Sequence, residues 1–177
     1  GRPVEVQEIL DEVRASGPLD MRSKAQIDLH KARASIAMGQ RDVARQLLVT
    51  ATSGFESIKD RQGGLDAKAS IARVSRLDGH FVEAANYYAE MLDTPKVDRT
   101  TQIHALVGLI EMRIEINQLE GLEENLVRLH ELARGSGDTR NIAESTYVAG
   151  LLHLRLRQLV LAERHFRTAR ALAATLG

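Results

Sequence analysis

Apolar residues recur along most of the chain at spacings of three and four, the period of one face of an α-helix. Dense alternation of β-branched residues, typical of strands, is missing, and the three prolines lie outside the long periodic segments. The pattern predicts an all-α fold of about nine helices. Their expected ranges are 4–16, 21–38, 41–58, 63–78, 81–93, 99–116, 119–134, 139–156 and 159–176.

The helices repeat in pairs. Four predicted tight turns, at Gly39, Gly79, Asn117 and Arg157, recur at nearly equal intervals, of which the middle one is slightly shorter. Five, nine and twelve residues after each turn come apolar residues on one helix face, namely Ala44, Leu48, Ala51; Ala84, Tyr88, Met91; Leu122, Leu126, Leu129; and Ala162, Phe166, Ala169. Seven residues before the turns stand Ala32, Ala72, Ile110 and Gly150. A small residue in three of these four places lets two antiparallel helices approach closely.

A second column of residues, that is, a set of equivalent positions with one member per repeat, has the same period. Asp20, Asp60, Asp98 and Asp138 recur at the same intervals as the turns, each just before the first helix of a pair. A carboxylate there accepts from free amide groups and suits the positive end of the helix dipole. We therefore predict four N-caps, not four catalytic acids, because equivalent positions lie a whole repeat apart.

These residues resemble the tetratricopeptide repeat (TPR) family, in its long class of about 40 residues per unit. The best match runs from Ile71-Ala72 through the turn at Gly79 to Tyr88, and Ala149-Gly150 with Ala162, Phe166 and Ala169 is similar. The segment Lys59 to Ala67 resembles the turn that opens units of the long class. The resemblance implies a right-handed α-α superhelix, a TPR-like solenoid.

The predicted organisation is a leading helix, residues 1–19, and four hairpins, residues 20–59, 60–97, 98–137 and 138–177. The third hairpin, with Ile110, Asn117 and Leu122, departs from the family pattern, and we expect it to be less regular. The leading helix carries Val6, Ile9, Leu10 and Val13 on one face and is interpreted as a half unit or an end cap. The apolar last helix suggests either a fragment of a longer array or packing against a second copy.

The composition of the chain bears on its partners and on its cellular setting. Lys and Arg total 24 against 24 Asp and Glu, the pI is near 7.2, and there is no Cys. Balanced charge argues against nucleic acid as a partner, and the absence of Cys excludes disulfides and fits a cytoplasmic setting. No apolar run reaches the roughly 18 residues of a membrane span, so we expect a soluble protein without a membrane partner.

The motif search favours a non-enzymatic protein. The six histidines form no metal-binding spacing, and phosphate-loop and nucleophile-elbow motifs are missing. We therefore expect no catalytic residues, no metal and no cofactor. Gly63-Gly64 is assigned to a turn and Gly135-Ser136-Gly137 to a connection between helices. Tyr88 is assigned to core packing and Tyr87 to the surface or the edge of a groove. An arginine stripe on the last two helices is interpreted as a solvated face in preference to a site for an acidic partner or nucleic acid.

The family resemblance implies a concave groove lined by the first helices of successive units. One stripe per helix gives the groove candidates Gln26, Arg33, Asp66, Arg73, Arg76, His104, Glu111, Glu115, Glu144, Tyr147 and Arg155, with apolar members that include Leu29, Ile36, Val107 and Ile114. The stripe is basic in the first two units and acidic in the next two, which would orient a peptide of opposite charge order. An equally weighted alternative is that these charges only solvate the groove or pair with one another.

The predicted function is that of a scaffold that binds a protein or peptide in this groove. The resemblance also implies an alternative, a regulatory sensor or dimerisation segment of a larger bacterial signalling protein such as a transcription regulator or a diguanylate cyclase. A homodimer through the terminal helices would fit that alternative. The carboxylate-holding Lys and Asn set of chaperone-binding members is not evident, which disfavours an adaptor for chaperones.

Overall fold

A computed structural model describes residues 3–15 and 17–176. Nine α-helices lie within these residues, and no strand does. They are α1 (Pro3–Ala15), α2 (Met21–Ala37), α3 (Arg41–Ser57), α4 (Arg61–Leu77), α5 (Phe81–Asp93), α6 (Arg99–Glu115), α7 (Leu122–Ser136), α8 (Thr139–Arg155) and α9 (Leu159–Ala174). The predicted all-α fold class is confirmed. Position 16, the predicted end of the first helix, lies outside the described residues.

The chain divides into two compact halves between Gly79 and His80. The first half contains α1 to α4 and the second contains α5 to α9, and within each half every helix packs against the next along the chain. The division falls inside residues 60–97, the segment predicted to form the second hairpin. The closure of that hairpin therefore stays a prediction.

The predicted turn positions share one backbone conformation. Gly39, Gly79, Asn117 and Arg157 all lie in the left-handed region, with φ of 75°, 79°, 59° and 62°. At three of the turns the next residue's amide donates to the carbonyl five residues before it, as from Gln158 to His153 at 2.9 Å. These bonds satisfy carbonyls that the helix end would leave open. The repeat found in the sequence is thus a repeat of helix endings.

All four aspartates are N-caps, as predicted. The Oδ1 atoms of Asp20, Asp60 and Asp98 accept from the amide three residues on, at 2.7, 3.1 and 3.0 Å. Asp138 accepts from Arg140, two residues on, at 2.8 Å. Hydrogen bonds from Ser23 and Thr101 hold the pKa values of Asp20 and Asp98 below the ordinary value of a carboxyl group.

Two segments differ from the predicted bounds. The α4 helix begins at Arg61, two residues before its predicted start, because Asp60 caps it through the Gly63 amide. Gly63 and Gly64 therefore lie in the first turn of the helix and not in a connecting turn. The α7 helix begins at Leu122 and not at residue 119, because Gly121, with φ of 72°, cannot continue a right-handed helix there. It runs on through Gly135 and Ser136, so only Gly137 joins it to the cap of α8.

The repeat columns form the cores of both halves. The positions five and twelve residues after each turn are buried in all four units, and Leu48 and Leu126 are buried at the ninth. Tyr88 and Phe166, at the ninth position of the other two units, are half-buried and pack on glycines of neighbouring helices. Tyr87 is also half-buried.

Three aromatic rings lie where a glycine leaves room. A Cβ added to Gly63, Gly108 or Gly150 would lie 2.2, 2.4 or 2.6 Å from a ring atom of Phe55, Tyr88 or Phe166 respectively. Only the Gly150 position was predicted as a close approach, between α8 and α9. The other two rings pack on the first helix of the following pair.

The α1 helix is attached to α2 by polar contacts. Gln7 Nε2 donates to Ser35 Oγ at 2.9 Å, Arg14 pairs with Asp28 at 3.0 Å, and Lys31 pairs with Asp11. No residue of α1 is fully buried. Its apolar stripe keeps much of its area in solvent, with Val6, Ile9 and Val13 40%, 57% and 42% exposed.

None of the described helices combines the length and the apolar character that a membrane crossing demands.

Candidate binding surface

The first helices of the predicted pairs, α2, α4, α6 and α8, are covered on more than one side. Each packs against at least two other helices of its half, and α6 buries nine of its 17 residues. As a consequence, Leu29, Ile36, Val107 and Ile114 are core residues and do not line a groove. The prediction that these four residues line a groove is wrong, because a helix that packs against several neighbours buries apolar residues on more than one side.

The eleven candidates with polar or aromatic side chains all keep access to solvent. Gln26, Arg33, Arg73, Arg76, His104, Glu115, Tyr147 and Arg155 are exposed, and Asp66, Glu111 and Glu144 are half-buried. Their accessibility leaves this surface available for contact with a partner.

In the first half, the candidate residues lie on two adjacent helices. The α2 and α4 helices contact each other directly, and Arg33 Nε donates to Ser70 Oγ across them at 3.3 Å. Arg73 lies about one turn beyond Ser70 on the same helix, where its side chain is exposed. Arg33, Arg73 and Arg76 therefore give this pair of helices a basic surface, opposed among the candidates only by Asp66.

In the second half, α6 and α8 are likewise in contact. Glu111, Glu115 and Glu144 are the acidic candidates here, whereas Arg155 is turned toward the end of α6, where its Nε donates to Asn117 Oδ1 at 3.2 Å. Arg155 thus contributes to the turn between α6 and α7.

An apolar stripe lies along α8 beside the acidic residues. Tyr147 and Leu154 are each 46% exposed, and Leu151 between them is half-buried. The Tyr147 ring is tilted by 51° against Phe166, with ring centroids 5.7 Å apart, so α9 supports it from behind. A supported, half-exposed aromatic side chain is typical of the anchors of protein interfaces.

Two histidines stack in the second half, which the sequence search missed because it looked only for spacings within one helix. The rings of His153 and His165 are nearly parallel, at 8°, with centroids 5.0 Å apart. His153 Nδ1 lies 2.6 Å from Gln158 Oε1, within hydrogen-bond distance. Burial lowers the pKa of His165, and the charges of His153, His130 and Arg164 lower it further.

A shallow crevice lies elsewhere in the second half. Leu119, Gly121, Glu123, Glu124, Leu152 and Leu156 line about 200 Å³ between α7 and α8. This volume is below the usual range of pockets for small molecules, and none of the eleven candidates lines the crevice. Among residues 3–15 and 17–176, no three His, Asp or Glu side chains are placed to share a metal ion.

No protein-family model matches the sequence, and comparison with curated proteins finds no significant match. The resemblance to tetratricopeptide repeats therefore stays a prediction.

Proposed function

We propose that the chain is a non-enzymatic module that binds protein or peptide segments on the exposed faces of its first helices, α2 and α4 in the first half and α6 and α8 in the second. One observation on the described helices carries the proposal. In the first half α2 contacts α4, whereas α1 and α3 do not contact each other; in the second half α6 contacts α8, but neither α5 and α7 nor α7 and α9 do so. Within each half the first helices therefore converge on an inner side, and the inner side is where helical repeat arrays bind extended partners.

The chemistry of the two inner faces suggests the character of the ligand. Arg33, Arg73 and Arg76 suit acidic groups, and the guanidinium fork gives each of them directional hydrogen bonds. Glu111, Glu115 and Glu144 suit basic groups, and Tyr147 with Leu154 offers apolar area beside them. The face of the first half therefore suits an acidic segment, and the face of the second half suits a basic segment that carries apolar side chains.

An affinity capture from lysate of the source organism tests the proposal. The wild type is compared with Arg33→Ala/Arg73→Ala/Arg76→Ala and with Tyr147→Ala/Leu154→Ala. A matched control removes the same charge from second helices, by Arg134→Ala/Arg164→Ala/Arg170→Ala. We expect the control to retain every captured partner and at least one of the two inner-face variants to lose a partner by tenfold or more, with circular dichroism unchanged.

Hydrogen exchange with the captured segment supplies the second readout. Protection of α2 and α4, or of α6 and α8, on addition of the segment would agree with binding on the inner faces. Equal capture by all variants, or protection restricted to α3, α7 and α9, would contradict the proposal.

The alternative function, a regulatory or dimerisation segment, draws on a different observation. Apolar side chains are exposed on α1 and also on α9, where Leu159 and Val160 are 60% and 81% exposed. Light scattering over a range of concentrations tests it, and a strict monomer would count against dimerisation.

A further inference from the structure

Two arginines occupy equivalent positions on the first helices of the first half. Arg33 and Arg73 each lie four residues before the end of their helix, α2 or α4, and both side chains are exposed. The two helices are in contact, and helices that pack together lie about 8–10 Å apart. Because an arginine side chain is long, both guanidinium groups can reach one chemical group that lies over the seam between the helices.

A buried serine fixes the orientation of the first guanidinium group. Arg33 Nε donates to Ser70 Oγ at 3.3 Å, and Ser70 Oγ in turn donates to the carbonyl of Asp66 at 2.9 Å. Ser70 is only 5% exposed, so it holds the Nε edge of Arg33 against α4. The two Nη atoms at the other edge are left for a ligand, and together they form a fork that can bind two oxygens of one anion.

The charges of these two arginines are not balanced within this face. Among the described residues, Arg33 makes only the bond to Ser70, and Arg73 makes no hydrogen bond or ion pair. The acidic candidate beside them, Asp66, is half-buried and accepts from Gln62 Nε2 at 3.4 Å. It lies seven residues before Arg73, about 10 Å along the helix axis. Both positive charges are therefore available to a ligand.

A phosphate monoester fits this pair of arginines better than a carboxylate does. It carries about 1.5 to 2 negative charges at pH 7 and presents three terminal oxygens, so it can accept from both guanidinium groups and balance both charges. A carboxylate carries one charge, and a single guanidinium fork satisfies its two oxygens.

Apolar side chains lie beside the two arginines. Ala37 and Leu77 each lie four residues after one of them, about one helical turn away, and both are exposed. They suit an apolar side chain next to the phosphate. This combination favours a phosphorylated peptide segment over a free phosphate ion.

We propose that Arg33 and Arg73 together bind the phosphate group of a phosphoserine or phosphothreonine in the partner segment. This proposal rests on the proposed function, since it specifies the acidic group that the first half recognises. Phosphorylation of the partner would then control binding to the first half, whereas binding to the acidic face of the second half would not require it.

Binding of three peptide libraries to the intact chain tests the proposal. Each library consists of short fluorescent peptides with randomised uncharged flanks, and the central residue is phosphoserine, glutamate or serine. Fluorescence polarisation gives the three affinities. We expect the phosphoserine library to bind about tenfold more tightly than the glutamate library, the gain expected for an additional hydrogen bond between charged groups. The serine library should bind more weakly than both.

Single substitutions assign the site on the chain. Arg33→Ala and Arg73→Ala should each weaken binding of the phosphoserine library about tenfold, with circular dichroism unchanged. Arg33→Lys keeps the charge but loses the fork, so it should also weaken binding, though by less. The matched control is Lys24→Ala, which removes an exposed positive charge from the opposite side of α2 and should bind as the wild type does.

NMR of the arginine side chains supplies a second readout that does not depend on substitution. Addition of the phosphoserine library to the wild type should shift the Nε–Hε signals of Arg33 and Arg73. The signals of Arg134 and Arg170, on second helices, should stay unchanged.

Three results would overturn the proposal. Equal affinity for the phosphoserine and glutamate libraries would exclude recognition of phosphate, but it would agree with binding of acidic segments and leave the proposed function in place. Phosphoserine binding that survives both Arg33→Ala and Arg73→Ala would assign the phosphate to other residues. If no library binds, the phosphate proposal is wrong, and the capture from lysate then decides the proposed function by itself.

Discussion

Left-handed backbone at the turns is supplied by two glycines and two larger residues. Gly39 and Gly79 adopt it without strain, whereas Asn117 and Arg157 carry a Cβ into the same region, at φ of 59° and 62°. Asparagine tolerates this conformation better than most residues, and arginine has no such advantage. The turn column therefore contains one strained residue at a position that the repeat otherwise fills with glycine or asparagine.

Arg157→Gly should raise the free energy of unfolding by about 0.5 to 1 kcal/mol. The substitution removes a left-handed strain of about 1–2 kcal/mol, partly offset by the greater entropy of glycine in the unfolded chain. Urea denaturation provides the measurement, and Gly39→Ala, which introduces the strain, should shift stability in the opposite direction. Destabilisation by Arg157→Gly would show that the arginine side chain has a stabilising contact that outweighs the strain.

The lowered pKa of His165 predicts how the free energy of unfolding changes with pH. Its pKa in the folded chain is below the ordinary 6.5, so the unfolded chain takes up the proton first as pH falls. The free energy of unfolding should accordingly decrease as pH falls through about 6.5 and level off below the folded pKa. His165→Gln should reduce this slope in denaturation curves measured from pH 7.5 to pH 5, while His104→Gln, on an exposed position, serves as the control. An unchanged slope in His165→Gln would assign the effect to other groups.

At the scale of the helix, sequence patterns predict local events better than contacts between helices. The cap and turn columns predict where α2, α6 and α8 begin because capping depends on the first few residues of each helix. The α7 start is wrong because Leu119 continues the apolar period, and only the conformation of Gly121 shows that the helix begins later. The stacked histidines lie on different helices, so the periodicity of a single helix cannot predict their contact.

The attachment of α1 to α2 depends on an ion pair of which only one member, the carboxylate, is buried. Asp28 of α2 is 3% exposed, and its ion pair is made with Arg14 of α1. Arg14→Ala should leave the carboxylate poorly solvated and loosen α1, at a cost of about 1–3 kcal/mol. Hydrogen exchange along residues 3–15 measures the loosening.

A surface pair supplies the control for that experiment. Arg167 is paired with Glu163 at 2.7 Å and the two side chains are 80% and 61% exposed, so Arg167→Ala should change stability by less than about 1 kcal/mol. If Arg14→Ala has an equally small effect, water reaches Asp28 and the polar contacts do not determine the position of α1.

The pairing of α8 and α9 depends on the missing side chain at Gly150. Gly150→Leu should destabilise the protein by about 3 kcal/mol, because the added atoms meet the Phe166 ring and force a shift of helix or ring. Thermal unfolding of this variant, of Gly150→Leu/Phe166→Ala and of the exposed control Ala171→Leu measures the effect. The double variant should recover much of the loss, and no recovery would mean that the clash is with backbone.

For the whole molecule, two separate cores are the main feature. Leu48 and Phe55 belong to a cluster in the first half, and Leu122 and Leu129 belong to one in the second. The repeat columns predict part of both cores, whereas Leu29, Ile36, Val107 and Ile114 belong to the cores although they were predicted to line a groove. The columns do not predict the division at Gly79, because a repeat has the same period on either side of a boundary between compact units.

Because the two halves have separate cores, a cavity in one core should destabilise mainly the half that contains it. Leu48→Ala and Leu129→Ala, both at positions that are 0% exposed, should each cost about 3 kcal/mol. Native-state hydrogen exchange should accelerate mainly in α2 to α4 for the first variant and in α6 to α8 for the second. Uniform acceleration along the chain would show that the halves unfold as one cooperative unit.

The candidate surface was predicted in part. Charged candidates such as Arg73 and Glu115 are exposed, as their polarity suggests, but Leu29 and Ile36 on the same stripe are buried. Periodicity locates a face on a helix and cannot say how many neighbours cover it. That number depends on contacts such as those between α2 and α4, which join residues far apart in the chain.

The three glycine and aromatic pairs have a consequence for how this sequence can change over generations. A larger residue at Gly63, Gly108 or Gly150 would clash with the ring of its pair if it were substituted alone. A smaller residue at Phe55, Tyr88 or Phe166 would leave a cavity if it were substituted alone. Where stability limits fitness, either single substitution therefore lowers fitness. Each pair is therefore epistatic, and its two members are expected to covary among descendants. A directed-evolution library that varies both codons of a pair together would reach sequences that stepwise selection does not.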